Sequence, residues 1–256
     1  LLKKIYGCEH AYVQPHSGAD ANLIAIWAIL TTKIQDSKLE AFGNKRCEEL
    51  TEDEYEEIRQ LLVNSRLLGM SLDAGGHLTH GYRHNISSKM MRAFTYGIDP
   101  QTERVDYQLI LKRAKECRPT ILLAGYSAYS RRLNFAKMRE IAEEVGAVLW
   151  VDMAHFSGLV AGKVFKGDEN PIPYAHVVTS TTHKTLRGPR GGIVMSTKEF
   201  APAIDRGCPL VMGGPLPHVI AAKAVSFLEA VEKCFLTIAE IVEIEERTGL
   251  PLDALG

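Results

Sequence analysis

No apolar run in the chain approaches the roughly 20 residues that an α-helix needs to cross a bilayer, so no membrane-spanning segment is expected. No basic block stands out either. The 30 Lys and Arg residues are balanced by 31 Asp and Glu residues, giving a formal net charge of −1. That balance, with no basic stretch interleaved by aromatics, argues against a nucleic-acid partner. Cysteine is sparse: Cys8, Cys47, Cys117, Cys208 and Cys234 are scattered, odd in number and never in a C-x-x-C pair. This excludes a disulfide scaffold and a structural zinc site and suits a reducing compartment. Low-complexity stretches and internal repeats are absent. The sequon at Asn85-Ile86-Ser87 is set aside, because no secretory signal accompanies it. There is no initial methionine, so the 256 residues read as a fragment or an ordered subset, which leaves open a targeting segment before Leu1. A cytoplasmic protein is expected, or an organellar one if such a segment precedes Leu1.

The composition that is present, 46% hydrophobic and 24% charged, is that of a globular protein with one large core. Short, continuous apolar strands alternate with amphipathic helices: strands at 67–72, 93–97, 120–126, 147–151, 177–182 and 193–196, helices at 107–117, 135–145 and 218–231. Polar residues cluster where the strands end. This pattern predicts an α/β fold with a mostly parallel central sheet, flanking helices and a site along the strand ends. Residues 33–51 read as polar and turn-like. Residues 48–62 read as a solvated helix with Tyr55, Ile58, Leu61 and Leu62 on one stripe.

Four of the strand-end groups have complementary chemistry. Ser17 is suited to cap a helix that starts at Gly18, where free N–H groups favour a phosphate. His77 lies in a glycine-rich loop, where its flat ring can stack on another ring. His77, His80 and His84 also suggest a metal site. However, the loop cannot place them on one helical face and no acidic cluster follows, so no metal is expected. Asp152 ends a buried strand, where it is either a helix cap or the partner of a buried cation. Lys184 follows the strand 177–182 and has Arg187 and Arg190 nearby. Burial and those cations would lower its pKa and make it a Schiff-base nucleophile. Together the four groups are what pyridoxal 5'-phosphate requires. The stretch 158–164 imitates a phosphate loop but has the wrong spacing and no Ser or Thr after Lys163.

The blocks Gln14-Pro15-His16-Ser17-Gly18, Gly75-Gly76-His77-Leu78-Thr79-His80-Gly81, Ser127-Ala128-Tyr129-Ser130, Val151-Asp152-Met153-Ala154-His155, Thr181-Thr182-His183-Lys184-Thr185-Leu186, Gly188-Pro189-Arg190-Gly191-Gly192 and Gly213-Gly214-Pro215-Leu216 closely resemble those of the serine hydroxymethyltransferase family. The resemblance runs over residues 1–233. It implies a fold-type-I pyridoxal-phosphate enzyme, a homodimer or homotetramer, that converts serine and tetrahydrofolate to glycine and 5,10-methylenetetrahydrofolate. It also implies that Lys184 carries the cofactor, that Asp152 holds the pyridine nitrogen, and that His77 stacks on the ring. By the same resemblance, Ser17 and Gly18 bind the phosphate, and Ser127 and His155 line the ring oxygen and the substrate side. Thr181 and His183 flank the lysine, Arg190 supports its loop, and Leu72, Gly76 and Leu78 line the folate site. Gly213 and Gly214 reach the phosphate of the neighbouring subunit.

Residues 33–65 look like an inserted helical segment relative to compact family members. The family's leading segment and its C-terminal small domain are missing, and residues 234–256 form an atypical helical tail. Two alternatives remain at this point: a truncated pyridoxal-phosphate-binding protein without full catalysis, and a folate-independent 3-hydroxy amino acid aldolase.

Overall fold

The computed structural model describes residues 1–232, so the tail 234–256, with Cys234, lies outside the described residues. The chain opens with α1 (Leu2–Tyr6), which Gly7 ends in the left-handed conformation, and with the short strand β1 (His10–Tyr12). Helix α2 (Gly18–Leu30) starts at Ser17, whose hydroxyl accepts the Asp20 N–H at 3.1 Å. This helix is apolar around most of its circumference, as expected of one laid across the middle of a sheet.

The stretch read as turn-like is helical over much of its length. A π-turn (Thr31–Gln35) leads into α3 (Asp36–Ala41), and a 3₁₀ turn (Cys47–Glu49) precedes α4 (Glu52–Asn64). Ion pairs invisible in local sequence hold this segment: Lys33 to Glu199 and Lys45 to Glu54, both at 2.5 Å, and Lys38 to Glu57. In α4 the predicted apolar stripe is narrower than its sequence suggests. Ile58 is buried, whereas Tyr55 and Leu61 are exposed. A reciprocal Thr51–Glu54 capping box starts this helix.

There follow β2 (Arg66–Met70), α5 (Ser87–Met90), β3 (Arg92–Tyr96), α6 (Tyr107–Cys117), β4 (Ile121–Gly125), α7 (Phe135–Val145), β5 (Val148–Asp152), α8 (Ser157–Ala161), β6 (Val177–Thr181), β7 (Gly192–Ser196), α9 (Ala201–Asp205), α10 (Gly207–Leu210) and α11 (Pro217–Glu232). The seven strands form one sheet in the order β1-β7-β6-β5-β4-β2-β3. Strands β3, β2, β4, β5 and β6 run parallel, while β7 is antiparallel to both β6 and β1.

Side chains alternate between the two faces of the sheet, and both faces are covered. Leu122 and Ala124 of β4 and Leu149 and Val151 of β5 enter one core, together with residues of α1, α6, α7 and α8. Ile121, Leu123, Val148 and Trp150 enter the other, against α2 and α9. Each fully buried Leu or Ile contributes about 1.5–3 kcal/mol, so the strand-end loops stand on a stiff base. Because neighbouring parallel strands end on the same edge, Asp152 of β5 and the loop after β6 emerge side by side.

Candidate functional site

Asp152 closes β5 as a buried carboxylate. Its Oδ1 accepts the Ala154 N–H at 3.1 Å, and its Oδ2 accepts Asn22 Nδ2 at 2.9 Å and His80 Nε2 at 3.2 Å. Burial alone would raise its pKa. The hydrogen bonds from His80, Asn22 and Ala154 outweigh that and hold it well below the usual carboxylate range. An ionised carboxylate has about four acceptor positions. Three are used here, which leaves one for a further donor.

The histidines form a chain of contacts with this anion. The backbone N–H of His77 donates to His80 Nδ1 at 3.3 Å, so the His80 proton sits on Nε2, facing Asp152. His77 Nδ1 accepts the Thr79 N–H at 3.2 Å and lies 2.8 Å from Thr79 Oγ1, and that oxygen in turn accepts Asn22 Nδ2 at 2.7 Å. Asn22 therefore links His77, through Thr79, to the acid. The sequence reading found no acidic group to accompany His77 and His80. Folding supplies one: their ligand atoms and those of Asp152 lie within 4.8 Å of one another, joined by the network just described.

Lys184 stands just beyond β6, its ammonium half-buried. Burial lowers its pKa, the Asp152 charge opposes that shift, and Arg190 adds to it. His155 is lowered in the same way, by burial first and then by the Lys184 charge. The turn that carries Lys184 is pinned at several points. Arg187 adopts φ 56° and its N–H donates to Lys184 O at 2.9 Å, Gly188 N–H donates to Thr182 O at 2.7 Å, and Thr182 Oγ1 donates to Pro189 O at 2.6 Å. His183 lies 3.3 Å from both Arg190 Nη1 and the Gly191 N–H, and burial lowers its pKa ahead of the Arg190 and Lys184 charges. Thr181 Oγ1 donates to Ala154 O at 3.4 Å, joining the ends of β5 and β6.

Two features fit the phosphate and the oxygens of a bound ring. A Cβ at Gly18 would lie 2.5 Å from Thr181 Cγ2, so only glycine lets the start of α2 approach the end of β6 this closely. Ser127 Oγ is buried with no hydrogen-bond partner among the described residues. Such an orphaned hydroxyl at a strand end is an available donor for a ligand oxygen. A group with a basic ring nitrogen, an aldehyde and a phosphate thus finds Asp152, Lys184 and the Ser17–Gly18 helix start on one edge of the sheet.

Leu72, Gly76 and Leu78, which the resemblance implies for a folate site, are arranged in two ways. Leu72 and Leu78 are each 46% exposed, whereas Gly76 packs against the strand end, where a Cβ would lie 2.1 Å from Met70 O. A Cβ at Gly213 or Gly214 would meet none of the described residues within 4 Å; Gly213 takes φ 77°, and Gly214 O pairs with His16 Nε2 at 2.8 Å.

Comparison with known proteins identifies the family. The family model described as serine hydroxymethyltransferase matches residues 55–248. The chain belongs to the serine hydroxymethyltransferase family. The serine hydroxymethyltransferase of Mycolicibacterium smegmatis is 60% identical over 240 residues, covering 94% of this chain and 49% of that protein. The Cutibacterium acnes serine hydroxymethyltransferase is 60% identical over 238 residues, covering 93% and 48%, and that of Chlamydia trachomatis is 55% identical over 259 residues, covering 98% and 52%. The chain thus spans about half the length of the curated serine hydroxymethyltransferases it matches. Among the described residues, no helix is long and apolar enough to cross a membrane.

Sequence reasoning missed Asn22, Thr79 and the pairing of His80 with Asp152. Asn22 carries a faint signal as a polar residue opening the apolar run 23–30. Its partners lie 57 and 130 residues away, and nothing local points to them.

Proposed function

We propose that residues 1–233 form the cofactor-binding large domain of an enzyme that transfers the hydroxymethyl carbon of L-serine to tetrahydrofolate, giving glycine and 5,10-methylenetetrahydrofolate. The observation that carries this reading is the pairing, on adjacent strand ends, of the buried anion Asp152 with Lys184, an amine of lowered pKa. Pyridoxal phosphate, when bound, supplies an electron sink for the α-carbon of the amino acid.

The groups described above divide the following tasks. Asp152 offers its free acceptor position to the ring N–H and keeps that proton in place. His77 would hold the face of the ring and set its plane, on which the direction of bond cleavage depends. Ser17 and the N–H groups from Gly18 onward hold the phosphate, with Arg190 supporting the lysine loop. Ser127 donates to the ring oxygen, and His155 lines the substrate side. Lys184 anchors the aldehyde through its amine, which needs less deprotonation work than an exposed lysine would. Thr181 and His183 set its approach. Leu72 and Leu78 give the flat pteridine an apolar contact, with Gly76 allowing close access.

The same reading assigns residues 33–65 to a helical connection and makes the working protein a cytoplasmic homodimer or homotetramer. In that assembly Gly213 and Gly214 face the neighbouring subunit's phosphate.

The test is to saturate the protein with pyridoxal phosphate and add glycine and tetrahydrofolate, separately and together. A new long-wavelength absorbance band that needs both ligands supports the folate reaction. Serine cleavage that proceeds equally well without folate would replace it with an aldolase.

A further inference from the structure

Lys223 belongs to α11 and to none of the groups assigned above, yet it is only 1% exposed. Its Nζ donates to three backbone carbonyls: Val13 O at 2.7 Å, Pro15 O at 2.8 Å and Gly192 O at 2.9 Å. Among the described residues no carboxylate pairs with it, and burial pushes its ammonium down to about 8. An ammonium taken out of water without a counter-ion is costly, and only a full set of charge-assisted hydrogen bonds offsets that cost. Docking of α11 also rests on other contacts. Ser226 Oγ already donates to Leu186 O at 3.3 Å, and Phe227 is buried in the core.

The three carbonyls flank the candidate site. Val13 and Pro15 lead into Ser17 and Gly18, and Gly192 follows the loop of Lys184 and Arg190. The two segments also touch directly. Gly192 N–H donates to Pro15 O at 3.0 Å, and a Cβ at Gly192 would lie 2.2 Å from Ser17 O. Lys223 fills the remaining space, since a Cβ at Gly191 would lie 2.4 Å from its Cε and 2.8 Å from its Nζ. The joint is built from backbone on backbone, with one ammonium as its fastener.

We propose that Lys223 is a positioning residue that fixes the phosphate-binding start of α2 relative to the loop carrying Lys184 and Arg190. The proposal rests on the cofactor reading given above and adds to it a determinant that touches neither cofactor nor substrate. Two variants disturb the joint differently. K223M keeps the bulk of the stem and removes all three donors, whereas G191A keeps the lysine and displaces it.

The experiment is to titrate full-length wild type, K223M and G191A with pyridoxal phosphate and to trap Lys184 with borohydride. Melting temperatures are recorded alongside. Both variants are expected to bind about tenfold or more weakly, on the order of the loss of a hydrogen bond to a charged donor. At saturating cofactor, trapping of Lys184 in K223M should match wild type, because that substitution leaves the lysine's own turn unchanged. Normal affinity in K223M with a lowered melting temperature would overturn the proposal and make Lys223 a helix anchor only. If K223M does not fold, G191A decides in the same way: a folded variant with normal affinity overturns the proposal. A wild type that takes no cofactor on Lys184 would instead overturn the functional reading beneath it.

Discussion

Asn22 and Asp152, 130 residues apart, meet through a 2.9 Å hydrogen bond from the Asn22 amide to Asp152 Oδ2. The same amide nitrogen donates to Thr79 Oγ1 at 2.7 Å, so one buried side chain orients both the acid and the loop that carries His77. Asn22→Ala removes both donors and leaves a buried carboxylate and a hydroxyl short of a partner. Chemical denaturation should show a loss of about 1–3 kcal/mol. Pyridoxal-phosphate affinity should fall as well, and unchanged affinity would detach Asn22 from the site.

Gly18→Ala tests the close approach of α2 to β6. The added Cβ would meet Thr181 Cγ2 at 2.5 Å, and the β-branched threonine has little rotamer freedom with which to yield. Relief must come from movement of the start of α2. Overpacking of this kind costs about 1–3 kcal/mol. A folded protein with weakened phosphate binding is expected, read out by calorimetric titration.

The depressed pKa of Asp152 fixes the sign of one pH effect. A carboxylate whose folded pKa lies below its unfolded value of about 3.9 contributes stability that is present above that value and is lost as pH falls through the folded value. Wild type should therefore lose stability more steeply than Asp152→Asn between about pH 5 and pH 2, by about 1 kcal/mol or more. Parallel denaturation curves across that range would contradict the ionised assignment.

His77→Ala removes the flat ring while leaving the sheet intact, since His77 is only half-buried and lies in a loop. Weaker cofactor holding and altered reaction choice should exceed any change in melting temperature. A variant with normal turnover in the complete enzyme would remove the stacking role.

Some of this architecture is legible in the sequence for local reasons. The bounds of α6 and α7 follow from caps written beside them: Asp106 accepts the Gln108 N–H at 2.8 Å, Asn134 accepts that of Lys137 at 2.8 Å, and Gly146 ends α7 in the left-handed conformation. Strands buried on both faces announce themselves as continuous apolar runs, as at Val148–Val151. The helical character of residues 31–41 is not legible, because its ion pairs reach Glu57 and Glu199 on other elements. The three-residue β1 is too short to show a period and is defined by its pairing with β7. In the site, residues whose chemistry is unusual for their position, Lys184 and Asp152, stand out in the sequence. Asn22, Thr79 and Lys223 look ordinary there, because their partners come together only on folding.

The central claim is that Lys184 is the amine that holds pyridoxal phosphate. Borohydride reduction of the cofactor-saturated protein followed by peptide mapping tests it most directly. The account predicts one stable pyridoxyl adduct, on Lys184, with none on Lys163 or Lys223. An adduct confined to other lysines, or no adduct at all, would contradict it.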